Sequence, residues 1–214
     1  MLKAVIFDFD GVLIDSEPLM RLAFADSYRR VVGDGPPPVE AYLEHMGESF
    51  TRIMDRLHLP HALWEPYKEF CRQNVARINL FPGSREMLDW TRSANLRSGL
   101  LTGKDRGRTL QLLEHFGLCE FFEVVIASDE LNQPKPHPEG VLRMLGEMGC
   151  APSQAVMVGD AVNDIVCAQE AGVRAIAITW GTKPERVQTL CRPDHVAHDW
   201  EALRKILEGL SADG

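Results

Sequence analysis

The sequence predicts an α/β architecture: a parallel sheet covered by helices on both faces, with an all-helical insert after the first strand. Three observations predict it. A short run of β-forming residues, Ala4-Val5-Ile6-Phe7, stops abruptly at Asp8 and Asp10, as a strand buried on both faces does where it ends. From residue 16 to 80 the apolar positions recur at helical spacing, and from Phe81-Pro82-Gly83 onward helical stretches alternate with short apolar runs. Such alternation builds a parallel sheet with crossover helices. The first strand rejoins that sheet across the insert, so residues 1–15 and 81–214 are expected as the core domain and 16–80 as a helical domain.

Taken in order, Gly11 lets the chain leave the first strand where a Cβ would obstruct it. Ser16 is placed to cap a helix carrying Leu19, Leu22, Ala23 and Val31. That helix ends at Gly33-Asp34-Gly35-Pro36-Pro37-Pro38, which no helix interior tolerates. Further helical patterns are expected at 39–46, 49–57 and 61–78, with no strand among them. The later strands are expected at 97–101, 123–127, 155–158, 175–179 and 195–197.

The chain of 214 residues is long enough to bury a sizeable core. Its formal charge of −8 and lack of any Lys/Arg run argue against nonspecific nucleic-acid binding. The first apolar segment is too short for a signal peptide, and no stretch is long enough to span a bilayer. Cys71, Cys119, Cys150, Cys167 and Cys191 show no CxxC or His-paired spacing, so structural zinc is not expected and the thiols are expected to be reduced. A cytoplasmic protein without nucleic-acid or membrane partners is the expectation.

Four motifs carry chemistry, each at the carboxyl end of an expected strand or on the loop after one, where open parallel sheets bind ligands. Asp8 and Asp10, two residues apart on a strand, point to the same side and repel unless a cation lies between them; a merely solvated strand end is the plain alternative. In Leu100-Leu101-Thr102-Gly103-Lys104, the Thr102 hydroxyl and the Gly103 N–H can cradle a phosphate, although an ordinary strand-to-helix turn has the same form. In Gln133-Pro134-Lys135-Pro136-His137-Pro138, three prolines hold Lys135 against an anion or simply stiffen a loop; His137 is read as structural. The run from Val156 ends in Gly159-Asp160, with Asp164 one turn into the next helix. Hard oxygens at that spacing suit Mg²⁺, and a helix-dipole pair is the alternative.

These signatures, DFDGVLIDSE, LLTGK, KPHP and VGDAVNDIVCAQEAG in that order, resemble those of the haloacid dehalogenase superfamily, specifically its phosphatases with a helical cap inserted after the first strand. The likeness covers essentially the whole core and implies that family's Rossmann-like sheet. The cap segment VVGDGPPPVEAYLEHMGESFTRIMDRLHLP looks like the proteins associated with 3-amino-5-hydroxybenzoate synthesis, while phosphoglycolate and sugar-phosphate phosphatases share the core equally well.

The resemblance implies a Mg²⁺-dependent phosphatase of a small phosphorylated metabolite (a sugar, aminosugar or carboxylic-acid phosphate, phosphoglycolate among them), with a place in secondary metabolism. It implies Asp8 as nucleophile and Asp10 as the acid that protonates the leaving alcohol and then the base that activates water. Mg²⁺ would be held by the Asp8 carboxylate, the Asp10 main-chain carbonyl and Asp160, with Asp164 bound directly or through water. Thr102, the Gly103 N–H and Lys135 would bind the phosphoryl oxygens, and His45, Glu48 and Ser49, beside Gly47, are the candidates for substrate contact in the cap. Two departures from the family pattern stand out. Ala161 replaces a common serine, and Phe50 occupies about the place where β-phosphoglucomutase-like proteins carry an arginine, which disfavours a phosphomutase. Asp10 itself disfavours a phosphonoacetaldehyde hydrolase. The alternative from another class is a receiver module, which also phosphorylates an aspartate in an acidic Mg²⁺ pocket. Receivers, however, have no insert of this size and carry the phosphoacceptor on the third strand.

Overall fold

The computed structural model describes residues 1–46, 48–181, 187 and 189–212. Strand β1 (Ala4–Phe7) lies inside a six-stranded parallel sheet with β4 (Arg97–Leu101), β5 (Val124–Ile126), β6 (Ala155–Gly159), β7 (Arg174–Ile178) and β8 (His195–Ala197), in the order β5-β4-β1-β6-β7-β8. Phe7 is in register with Leu100 on one side and Val158 on the other. The chain steps outward from β1 through β4 to β5 and then crosses back to β6. This reversal opens a crevice outside the carboxyl ends of β1 and β6, the place where such sheets bind ligands.

Side chains alternate across β1 because the strand period is two. Val5 and Phe7 enter one apolar layer with Leu88 and Leu112, from helices α5 (Ser84–Ser93) and α6 (Arg106–His115), and with Leu203 from α9 (Trp200–Ala212). Ala4 and Ile6 enter the other, with Val141 and Met144 of α7 (Glu139–Glu147) and Ile165 of α8 (Val162–Glu170). The β-branched run at the start of the sequence is therefore apolar throughout because both of its faces are covered.

Between β1 and β4, helices α1 (Glu17–Val31), α2 (Val39–Leu43), α3 (Phe50–Leu57) and α4 (Trp64–Gln73) surround an apolar cluster of their own that includes Phe24, Tyr42, Phe50 and Tyr67. The Phe24 and Tyr42 rings stack at 4.3 Å. Three expectations need correction here. A two-stranded antiparallel ribbon, β2 (Ile14–Asp15) with β3 (Asn79–Leu80), joins the two ends of the insert; strands of two residues are too short to show a period. The helix expected at 61–78 is broken into single turns at His61–Leu63 and Val75–Arg77 around α4. Ser16 stands at the N-cap of α1 but makes no capping bond, because its hydroxyl is turned to Asp10. Gly47 lies outside the described residues.

The two connections to the insert are tied to the core by a tryptophan pair. Trp180 Nε1 donates to Val12 O at 3.1 Å, Trp200 Nε1 donates to Pro82 O at 2.8 Å, and the rings meet at 4.5 Å. Among the described residues, no helix is long and apolar enough to cross a membrane.

Leu100 is fully buried on β4 beside β1. Leu100→Ala is expected to lower the unfolding free energy by about 2–5 kcal/mol, read as a lower urea midpoint at unchanged slope. A loss below about 1 kcal/mol would contradict this packing.

Candidate active site

Asp8 is the first residue beyond β1, and its N–H donates to Val158 O of β6 at 2.9 Å, so strand pairing itself carries it into the crevice. Asp160 follows β6, and Asp164 lies in the first turn of α8. Carboxylate oxygens of Asp8, Asp160 and Asp164 lie within 4.8 Å of one another, and all three residues are buried. This proximity requires glycine at the neighbouring positions. A Cβ on Gly11, which turns at φ +78°, would collide with the Asp160 carboxylate, and one on Gly159 would collide with Asp164.

Lys135 is the ammonium inside this cluster, 2.6 Å from Asp164 Oδ1 and 2.9 Å from Asp8 Oδ1. Its Nζ also donates to Leu101 O at 3.3 Å. The contact with Asp8 is an ion pair without hydrogen-bond alignment, so Asp8 Oδ1 remains buried without a donor. Burial, with the charges of Asp164, Asp160 and Asp10, pushes the Asp8 carboxyl well above the ordinary value of 3.8 although Lys135 opposes this. Lys135 itself is pushed up against the effect of its burial by Asp164 and Asp8. Among the described residues Lys135 is the ammonium paired with Asp8 and Asp164, and a buried Asp8 carboxylate oxygen lacks a donor. A hard oxygen donor set of this kind fits a divalent cation.

Asp10 lies in a different field. Against the effect of burial, Lys104 Nζ at 3.0 Å and the Ser16 hydroxyl hold its carboxyl below the ordinary value. The two aspartates of the first motif are thus driven in opposite directions by their surroundings, the arrangement that separates acid–base roles in enzyme sites.

The remaining expected residues divide into two groups. Thr102 is buried, and its Oγ1 accepts the Lys104 N–H at 3.2 Å, leaving its proton free to be donated. Gly103 and Lys104 line the same cleft as Asp8 and Asp10. Glu48 reaches that cleft from the insert, with its carboxylate 3.0 Å from Arg56 Nε and 3.5 Å from His45 Nδ1. His45 lines a neighbouring opening that also reaches Asp160. Ser49 is the N-cap residue of α3 and lines neither opening. Ala161 is the N-cap of α8 and makes no side-chain cap; the Asp164 carboxylate accepts its N–H at 3.0 Å instead.

Sequence reasoning assigned no role to four residues at this site. Lys104 was quoted in its motif, yet nothing in spacing says that it pairs with Asp10. Arg108, one turn into α6, and Tyr42 and Tyr67 from the insert also line the cleft. The tyrosine hydroxyls bond each other at 2.9 Å, and burial holds both well above the ordinary value. The space the cleft encloses is about 30 Å³, room for a few waters at most.

Comparisons with known proteins agree with the fold. A sequence model of the family described as Haloacid dehalogenase-like hydrolase matches residues 5–178. A phosphoglycolate phosphatase of Chromobacterium violaceum is 32% identical over 192 residues, covering 84% of this chain and 86% of its own. The pyrophosphatase PpaX of Bacillus pumilus is 30% identical over 209 residues, covering 96% of each. Among solved structures, CbbY from Rhodobacter sphaeroides in complex with phosphate superposes with a TM-score of 0.80 at 23% identity, over 94% of this chain and 95% of that one.

A carboxyl that binds its proton more tightly when folded weakens folding once the pH exceeds its ordinary value. Asp8→Asn, measured with chelator present, is therefore expected to be more stable than the parent at pH 7 to 8. The advantage should shrink as the pH falls toward 3.8, the ordinary value. A difference in urea midpoint that does not vary with pH would show that Asp8 is not strained in this way.

Proposed function

We propose that this chain, which belongs to the haloacid dehalogenase-like hydrolases, is a Mg²⁺-dependent phosphatase that works through a phosphorylated aspartate. The observation that carries this reading is the Asp8 carboxylate, buried at the sheet crevice with one oxygen lacking a donor and with Lys135, Asp160 and Asp164 around it. Asp8, Asp160 and the Asp10 main chain would hold the ion. When bound, it supplies positive charge that keeps Asp8 ionised and offsets charge on the phosphoryl oxygens. Both oxygens of Asp164 are already engaged, by Lys135 and by the Ala161 N–H. Asp164 therefore orients Lys135 and the start of α8, and would contact the ion directly or through water.

Asp8 attacks phosphorus, and Thr102, the Gly103 N–H and Lys135 bind the equatorial oxygens. Asp10, held ionised by Lys104 and Ser16, suits the second half of the reaction, in which it takes a proton from the water that cleaves the aspartyl phosphate. In the first half its protonated form gives a proton to the leaving oxygen, and Asp10 regains one from the attacking water in the second half. Residues 16–80 act as a cap. The cap opens for entry and closes to exclude water.

The substrate is a small phosphorylated metabolite. Relatives named phosphoglycolate phosphatase support a carboxylic-acid phosphate, and those named pyrophosphatase support inorganic pyrophosphate as the second reading. The likeness of the cap to proteins of 3-amino-5-hydroxybenzoate synthesis points instead to an aminosugar phosphate, and one panel of these compounds decides among them. Phe50, which packs at 4.7 Å on the Tyr67 ring, offers no cation for a second phosphate, and this disfavours a phosphomutase.

Acid quenching of the enzyme with ³²P-labelled substrate should trap about one labelled carboxyl per active site in the parent and none in Asp8→Asn. Asp8→Asn should lose at least about 10³-fold in kcat. Turnover on p-nitrophenyl phosphate should vanish with chelator and return with Mg²⁺. Near-normal turnover by Asp8→Asn would remove the nucleophile from this scheme, and full activity in chelator would remove the metal.

A further inference from the structure

The catalytic cleft contains a guanidinium that the phosphatase reaction as described does not use. Arg108 lines it together with Asp8, Asp10 and Lys104. Its side chain is 13% exposed and lies between core and cap, with the guanidinium 5.2 Å from the Tyr67 ring and 4.9 Å from Trp64. Asp105 fixes its root in two ways. The Asp105 carboxylate accepts both the Arg108 N–H, at 3.1 Å, and the Arg108 Nε. Among the described residues, neither Arg108 Nη group makes a hydrogen bond. The result is a held, permanently charged fork with both terminal amino groups available.

The other charges facing this space also have partners of opposite sign. Asp10 is paired with Lys104 at 3.0 Å, and Glu48 with Arg56 at 3.0 Å and His45 at 3.5 Å. Lys135 serves Asp8 and Asp164. A phosphoryl group on Asp8 would lie against Thr102 and Lys135, so the leaving group would extend toward the cap and into reach of Arg108. Tyr42, Phe50 and Tyr67 wall that side, which keeps the leaving group small.

Resting on the phosphatase reading, we infer that Arg108 is a specificity residue that binds a negative charge on the leaving group. The preferred substrates are then small phosphate esters or anhydrides whose departing part is itself anionic, a carboxylate or a second phosphate. Glu48 offers the competing possibility of an ammonium-bearing leaving group, and the test separates the two.

Three near-isosteric esters provide that test: 2-phosphoglycolate, 2-hydroxyethyl phosphate and phosphoethanolamine, carrying a negative, neutral and positive end. The parent enzyme is expected to favour 2-phosphoglycolate over the neutral ester by about 30-fold or more in kcat/KM, about 2 kcal/mol at 1.4 kcal/mol per tenfold. Arg108→Gln should bring that ratio below about 5, chiefly by raising KM for 2-phosphoglycolate. Arg108→Lys, which keeps the charge and loses the fork, should give an intermediate ratio. A ratio near one in the parent, a preference for phosphoethanolamine, or an unchanged ratio in Arg108→Gln would overturn the inference. The ratios of the parent and of Arg108→Lys decide the matter if Arg108→Gln does not fold. Hydrolysis of all three esters without charge preference sinks this inference alone. A folded protein inert toward all three and toward p-nitrophenyl phosphate sinks the phosphatase reading and this inference with it.

Discussion

Bringing Asp8, Asp160 and Asp164 together where water cannot screen them is the constraint that the rest of the structure answers to. Like charges about 4 Å apart repel by about 4 kcal/mol at an effective dielectric near 20, and these three lie within 4.8 Å of one another. Among the described residues, the buried Lys135 ammonium pairs with Asp8 and Asp164. Three prolines fix the backbone around Lys135, and burial with Asp164, Asp8 and Leu101 O holds its ammonium. The glycines at 11 and 159 let the acidic side chains approach closely, and the β1–β6 pairing brings the two strand ends level. Together they bring three carboxylates and the Lys135 ammonium into one buried site.

The site is asymmetric about β1. Asp8 faces β6 and the acidic cluster, whereas Asp10 faces Lys104 and Ser16 on the side of β4. One carboxyl is driven up and the other down by surroundings set by which neighbouring strand each approaches. The two chemically identical groups of the DxD motif are set apart in this way. Ser16 gives up its helix cap to serve it, and α1 starts instead with Glu17 and Pro18 in its first turn, which suit that end without a capping hydroxyl.

Much of this was legible in the sequence because it follows from periodicity and strand-end chemistry. The strands at 97–101 and 195–197 fall where the apolar runs lie, and the others differ by a residue or two at their ends. Asp8, Asp160, Asp164 and Lys135 converge as their positions at strand ends implied. The β2–β3 ribbon was not legible, since two-residue strands carry no pattern and the paired residues, Ile14 with Leu80 and Asp15 with Asn79, are far apart in the chain. Nor were Lys104 and Arg108 legible as members of the site. A lysine after a glycine and an arginine in a first helical turn are ordinary on surfaces, and their inward direction is decided by the Asp10 carboxylate and by the cap aromatics packed over them. For Ser49, the run Glu48-Ser49-Phe50 gives helix-start spacing and cleft spacing alike, and packing of Phe50 into the aromatic cluster places the serine at the helix start.

The central claim is that the buried acidic cluster is a divalent-cation site whose charge is completed by the ion. Calorimetric titration of the chelator-stripped protein with Mg²⁺ at pH 7 tests it directly. One saturable site per chain, lost in Asp160→Asn, is the predicted result. A parent protein that takes up no Mg²⁺ at millimolar concentration, or an Asp160→Asn variant that binds it equally well, would contradict the account.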